Sequence, residues 1–148
     1  MVQMRAALAG IPVSRAMLTD FQSLSPRDSL GKVIDLTLGG SQKDYPVVDG
    51  GRVTGVLMQT DLLSALSGDG SDKPVSDVMR RDFLVIDAFE MLETALRQLG
   101  ECDCHTLPVT RGGKLVGLVT MDNIGEFLAI QAALGKSKRT LAGTVVEA

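Results

Sequence analysis

The chain repeats itself 62 residues on, without a gap. Pro12-Val13-Ser14 returns as Pro74-Val75-Ser76, Met17 as Met79, and Asp20-Phe21 as Asp82-Phe83. Pro46-Val47 returns as Pro108-Val109, Gly50-Gly51 as Gly112-Gly113, and Gly55 as Gly117. Self-similarity at one offset constrains architecture before any local element is assigned. Two copies are too few for a solenoid, so the pattern predicts a pseudo-twofold pair packed face to face, with clefts where the halves meet.

Each copy carries the same order of signals. Ser25-Pro26-Arg27-Asp28 offers a capping hydroxyl, a first-turn proline and a first-turn carboxylate ahead of Leu30, Val33 and Ile34, which predicts a helix start. Asp87-Ala88-Phe89-Glu90 is the matching capping pattern ahead of Leu92, Ala95, Leu96 and Leu99. The two helices are expected to stop at Gly39-Gly40 and at Gly100. Tyr45-Pro46-Val47-Val48 and Val53–Met58 flank Gly50-Gly51, and Leu107–Thr110 and Leu115–Thr120 flank Gly112-Gly113. Both read as β-hairpins. A second helix follows in each copy, with Asp61 and Asn123 as residues suited to a helix N-terminus whether or not anything binds there. The unit is therefore an α/β (α+β) β-α-β-β-α arrangement, a three-stranded sheet with two helices, with the two copies packed through their sheets. The domain reading is a lead-in helix or connector at 1–10, repeats at 11–68 and 73–135 joined by the polar stretch Gly68–Lys73, and a C-terminal tail at 136–148.

Composition narrows the function. With 148 residues, 45% of them hydrophobic, the chain can bury a single good core. A net charge of -3 and 3% aromatic content argue against nucleic acid, which wants a basic face and stacking rings. No apolar run reaches membrane-spanning length, and the expected compartment is the cytoplasm. Cys102 and Cys104, one residue apart, are read as too close for an ordinary structural disulfide. With His105 they form the one constellation of metal or redox character. However, a structural zinc site needs four ligands, and the chain has two cysteines and one histidine in all. Adjacent Cys104 and His105 on a strand would also point to opposite faces. No nucleophile–histidine–carboxylate set can be assembled around His105.

The repeated Met17 and Met79, the Pro-Val strands and the junctions Gly55-Val56-Leu57-Met58-Gln59-Thr60-Asp61 and Gly117-Leu118-Val119-Thr120-Met121-Asp122-Asn123 resemble the cystathionine β-synthase (CBS) domain. Over about residues 11 to 130 the chain resembles a tandem CBS pair. The resemblance implies a regulatory module without chemistry of its own. Such a module would bind an adenosine-containing ligand (AMP, ADP, ATP or S-adenosylmethionine), have no other cofactor, and control an attached or partner protein. Independently of the family, a polar residue at a strand end and another three later at a helix start face a place where helix N–H groups favour phosphate or ribose oxygens.

At that junction the copies differ. Copy one keeps the acid, Asp61, but has Met58 where the family has a hydroxyl; copy two keeps Thr120 but has Asn123 in place of the acid. A lost hydrogen bond to a charged group costs about 1.5–3 kcal/mol, so the copy-two site is expected to be the better one. Position-matching to the family adds Ser76, Arg80, Arg81, Cys104, His105 and Thr106 as its rim, with Ser14, Leu18, Thr19, Gln42, Lys43 and Asp44 as the copy-one equivalents. Arg80, Arg81, Lys43 and His105 would meet phosphates across the pair. The competing reading is a ligand-free assembly domain that forms a homodimer through helix faces around Ile124 and Leu128. The run Gly40–Asp49 is also similar to CBS pairs at the cytoplasmic end of site-2-type intramembrane zinc metalloproteases, which would make the regulated protein a membrane enzyme.

Overall fold

The computed structural model describes the backbone of residues 8–68 and 70–147 and the side chains as far as residue 135; most of the expected lead-in, residues 1–7, lies outside this. In chain order the elements are α1 (Val13–Ala16), α2 (Leu30–Leu38), β1 (Tyr45–Asp49), β2 (Arg52–Leu57) and α3 (Gln59–Leu66). A 3-10 turn (Val75–Asp77) follows, then β3 (Ile86–Asp87), α4 (Leu92–Glu101), β4 (Thr106–Arg111), β5 (Lys114–Thr120) and α5 (Met121–Glu147). The hairpins β1–β2 and β4–β5 each turn on two glycines at positive φ, Gly50 and Gly51 (60° and 83°) and Gly112 and Gly113 (60° and 82°). Two residues in succession at positive φ make the turn whose twist matches flanking strands.

The expected three-stranded sheet forms in copy two, where β3 runs parallel to β4 through Ile86–Val109 and Asp87–Thr110. In copy one the same edge shrinks to a single parallel bridge, Leu24–Val47. Proline explains the difference. In copy two Ala88 N donates to Thr110 O at 2.9 Å; the copy-one residue at that position is Pro26, which has no N–H.

Both first helices start later than their capping patterns suggest. Ser25-Pro26-Arg27-Asp28 closes a turn, with Ser25 N donating to Asp28 Oδ2 at 2.8 Å, and α2 begins at Leu30 with Ser29 Oγ accepting from Lys32 N. Asp87 likewise closes a turn by accepting from Phe89 N, and α4 begins at Leu92. In each copy the other one holds the intervening carbonyls. Pro26 O and Asp28 O accept from Ser76 N and Val75 N, and Ala88 O and Glu90 O accept from Ser14 N and Val13 N, all at 2.8–2.9 Å. Carbonyls spent on the partner repeat are not available to a helix. The last helix runs past the expected end of the repeat at 135 and takes in most of the expected tail, reaching Glu147. No proline interrupts that helix, and its alanines and leucines favour it despite three glycines.

The two hydrophobic cores are built crosswise. Leu8, Val13 and Ala16, from the start of copy one, are buried with Ile86, Leu92, Leu96, Leu107, Val119 and Ile124 of copy two. Val75 and Met79, from the start of copy two, are buried with Leu24, Leu30, Val33, Tyr45, Leu57 and Leu62 of copy one. Each repeat therefore completes the core of the other, which ties the pair together far more tightly than surface contact would. No helix among the described residues is long and apolar enough to cross a membrane.

Candidate functional site

The crossing continues into two clefts. Leu18 pairs with Leu118 on β5 through reciprocal backbone bonds of 2.8 and 3.0 Å, and Arg80 pairs with Val56 on β2 at 2.9 and 3.0 Å. The repeated glycines make room for this. A Cβ on Gly117 would lie 2.6 Å from Met17 Sδ and 3.0 Å from Leu18 O, and one on Gly55 would lie 2.7 Å from Met79 Sδ and 2.9 Å from Arg80 O. Repeated methionine and repeated glycine are thus two sides of one contact, made twice.

The first cleft, about 320 Å³, takes Leu18, Asp20 and Phe21 from the segment before the first sheet, Ser41 to Asp44 from the loop before β1, and His105, Thr106, Leu118, Thr120 and Asp122 from copy two. The second, about 280 Å³, is its pseudo-twofold mate. Its walls are Arg80, Asp82, Phe83 and Leu84, then Cys102 to Cys104, then Val56, Met58 and Thr106. Each cleft therefore combines the strand–helix junction of one copy with the lead segment of the other. That regroups the expected rim. Thr120 is joined by Lys43 and His105, whereas Arg80 and Cys104 stand beside Met58. Cys104 and His105, neighbours in sequence, line different clefts. Arg81 and Ser76 lie outside both linings and bond to each other, Arg81 Nη2 to Ser76 O at 3.0 Å. Ser14 and Thr19 are likewise outside.

At the first cleft Thr120 and Asn123 form a reciprocal cap. Asn123 N donates to Thr120 Oγ1 at 2.9 Å, and Thr120 N donates to Asn123 Oδ1 at 2.5 Å. This closes the open end of α5 in the manner of a capping box. The Asn123 amide is then used up, since Nδ2 donates to Ala16 O at 2.6 Å and the residue is 9% exposed. Asn123 is thus a structural joint between copies at the third helical position, not the N-cap. The carboxylate that faces the cleft from this junction is its neighbour Asp122.

At the second cleft the corresponding pair is ionic. Arg80 Nε donates to Asp61 Oδ2 at 2.8 Å, and Arg80 Nη1 lies 4.0 Å from Asp103. The Asp61 hydrogen bond and charge raise the guanidinium pKa above its ordinary value, against a small opposing effect of desolvation. Met58 is 5% exposed and fills the place of Thr120. Asp61 is also a third-position residue, in α3, with Met58 at the N-cap.

Between the clefts lies Asp44, 7% exposed. Its Oδ1 accepts from Gln59 N at 3.0 Å and its Oδ2 from Thr106 Oγ1 at 3.3 Å. The chain bends at Cys102 and Asp103, and the sulfurs of Cys102 and Cys104 are bonded, with Cα atoms 5.2 Å apart. The expectation of two separate thiols is corrected. One intervening residue was read as too close a spacing for a disulfide, but the bend holds the two Cα atoms at a separation well inside the disulfide range. Among the described residues no group of three or more His, Cys, Asp or Glu side chains is placed to hold a metal. Asp20, Phe21, Asp82 and Phe83 were not among the expected site residues. Their recurrence as Asp-Phe in both copies was the available signal.

The CBS domain family matches the chain twice, at residues 13–68 and 75–129. Protein MJ1232 of Methanocaldococcus jannaschii is 26% identical over 125 residues, which is 84% of this chain but 42% of that protein, so the chain spans under half of its relative. Among solved structures, AcuB from Vibrio cholerae superposes with a TM-score of 0.78 at 22% identity, covering 86% of this chain and 96% of that one. CBSX2 from Arabidopsis thaliana, solved in complex with AMP, gives 0.71 at 27% identity, covering 86% and 99%.

Proposed function

We propose that this chain, which belongs to the CBS domain family, is a regulatory module that senses an adenosine-containing ligand and passes its state to an attached or partner protein. The observation that carries this is the first cleft. Its volume of about 320 Å³ lies at the lower end of small-molecule sites, and it opens at a helix start that favours anionic oxygens. The complex of CBSX2 with AMP supports the ligand class. In this reading Phe21 and Leu18 form the apolar wall for the base, Asp122 accepts from ribose hydroxyls, and Lys43 with His105 meets a phosphate. The second cleft is the weaker one, because Met58 stands there in place of a hydroxyl and the carboxylate of Asp61 is already held by Arg80.

Calorimetry and thermal shift with AMP, ADP, ATP and S-adenosylmethionine test this. One of them is expected to bind with one site per chain, and a ligand at a hundred times its Kd stabilises by about 2.7 kcal/mol. Absence of binding by all four at millimolar concentration would remove the reading. Assembly is the second reading, and exposed apolar residues favour it: Leu63 on α3 and Ile130 and Leu134 on α5 are 60%, 51% and 53% exposed. Ile124 is 1% exposed within the core, so its substitution would report on folding. Replacing Ile130 and Leu134 by serine, with sedimentation as the readout, addresses a homodimer directly.

A further inference from the structure

We propose that Cys102 and Cys104 are a reversible dithiol–disulfide pair that exchanges electrons with a dithiol reductant and so sets the wall of the second cleft. The bond spans a single residue, so it closes almost no loop in the unfolded chain and serves poorly as a staple. It is also within reach. Both cysteines line an open cleft, and the side chain of Asp103 between them is 97% exposed. Access of this kind is what thiol–disulfide exchange requires.

The other repeat supplies an independent argument. At the position of Cys104 copy one has Gln42, whose amide clamps the equivalent loop. Gln42 Oε1 accepts from Gln22 N at 2.8 Å, and Nε2 donates to Gln22 O and Asp44 O, each at 2.9 Å. Gln22 contributes only backbone groups to the clamp, and in copy two the Gln42 position is Cys104, which has no side-chain amide, so no such clamp can form. The same loop is fastened once by hydrogen bonds that no reductant affects, and once by a bond that a reductant opens. The first fastener borders the cleft of Thr120, the second the cleft of Arg80.

In the exchange a thiolate of the dithiol attacks one cysteine sulfur, the S–S bond breaks, and the other cysteine leaves as thiolate and takes a proton. The second reductant thiol then releases the mixed disulfide. Two electrons and two protons reach the pair, and the reductant becomes a disulfide. With the bond gone, Asp103 and the loop from 101 to 106 lose their constraint beside Arg80, while the first cleft is unchanged.

The test uses the intact chain equilibrated with mixtures of reduced and oxidised dithiothreitol or glutathione, then denatured, alkylated and weighed. Two alkyl groups are expected to appear together as the mixture becomes reducing, with no cross-linked dimer. Two free thiols under every condition, or cross-linked chains, would overturn the pair. Amide hydrogen exchange then reads the clefts without any ligand. Reduction is expected to speed exchange several-fold at residues 101–106 and 80–84 and to leave 40–44 unchanged, and the double variant C102S/C104S is expected to behave as reduced protein throughout. Equal exchange in the two states would overturn the effect on the cleft. Neither readout involves a nucleotide, so the adenosyl reading can fail without affecting this one.

Discussion

Thr106 Oγ1 donates a hydrogen bond to Asp44 Oδ2 at 3.3 Å, and the two residues occupy the same position of the two repeats, 62 apart. A contact between equivalent positions lies on the pseudo-twofold axis, so this bond marks where the halves meet and where both clefts share a wall. It is asymmetric in chemistry although symmetric in place, with a hydroxyl on one side and a buried carboxylate on the other. Thr106→Val keeps the shape and removes the donor. The loss is expected to be about 1.5–3 kcal/mol, the range for a hydrogen bond to a charged group, read by urea denaturation. A change within about 0.5 kcal/mol would mean that water replaces the hydroxyl.

Gly117→Ala places a methyl group where Met17 Sδ and Leu18 O already sit. Overpacking of this kind costs about 1–3 kcal/mol, and Gly55→Ala is expected to match it at the mirrored contact with Met79. Gly125, in α5, has open space around its Cβ position, so Gly125→Ala is expected to gain about 0.5–1 kcal/mol from helix preference alone. The three variants compared by thermal denaturation separate close approach from conformational freedom. Equal effects at 117 and 125 would refute the packing argument.

Asn123→Ala removes the side-chain half of the reciprocal cap, the acceptor for Thr120 N, and the bond to Ala16 O. A combined cost of about 2–4 kcal/mol is expected from a lost cap and an unpaired buried carbonyl. Asn123→Asp, which restores the residue type of Asp61, is expected to destabilise too, because a carboxylate cannot donate to Ala16 O. Wild-type stability in Asn123→Asp would show that the donor is not needed.

Asp61→Asn addresses the second cleft. The side chains of Arg80 and Asp61 are 39% and 29% exposed, so the bridge contributes little to stability, within about 1 kcal/mol after solvent screening. Its effect is expected on ligand binding instead, because it frees the guanidinium to meet an anion. Calorimetry with AMP on Asp61→Asn and on Lys43→Ala distinguishes the clefts. Loss of binding in Lys43→Ala with Asp61→Asn unaffected assigns the ligand to the first; a changed affinity in Asp61→Asn with Lys43→Ala unaffected would reverse the assignment.

Most of the fold was legible because it was written twice. The hairpins were readable from Gly50-Gly51 and Gly112-Gly113, since successive positive φ angles leave few other residues eligible. The helix starts were misplaced by a turn because Ser25 and Asp87 are good caps locally, while the carbonyls that follow them are claimed by the other repeat. The disulfide was missed for a similar reason: spacing along a strand says nothing about the bend at Asp103. At the site, the polar character of Thr120 was readable, but the engagement of Asn123 with Ala16, 107 residues away in sequence, was not.

Sequence alone determined that two like halves exist, that each carries a hairpin and two helices, and that their strand–helix junctions differ, Met58 against Thr120 and Asp61 against Asn123. These are properties of order and residue type, which survive in any conformation of the chain. Tertiary structure decided which half supplies which wall. The lead segment of each repeat crosses to the sheet of the other because its buried residues and backbone donors find partners only there. A repeat read along the chain therefore groups Arg80 with Thr120, and the folded molecule separates them into different clefts.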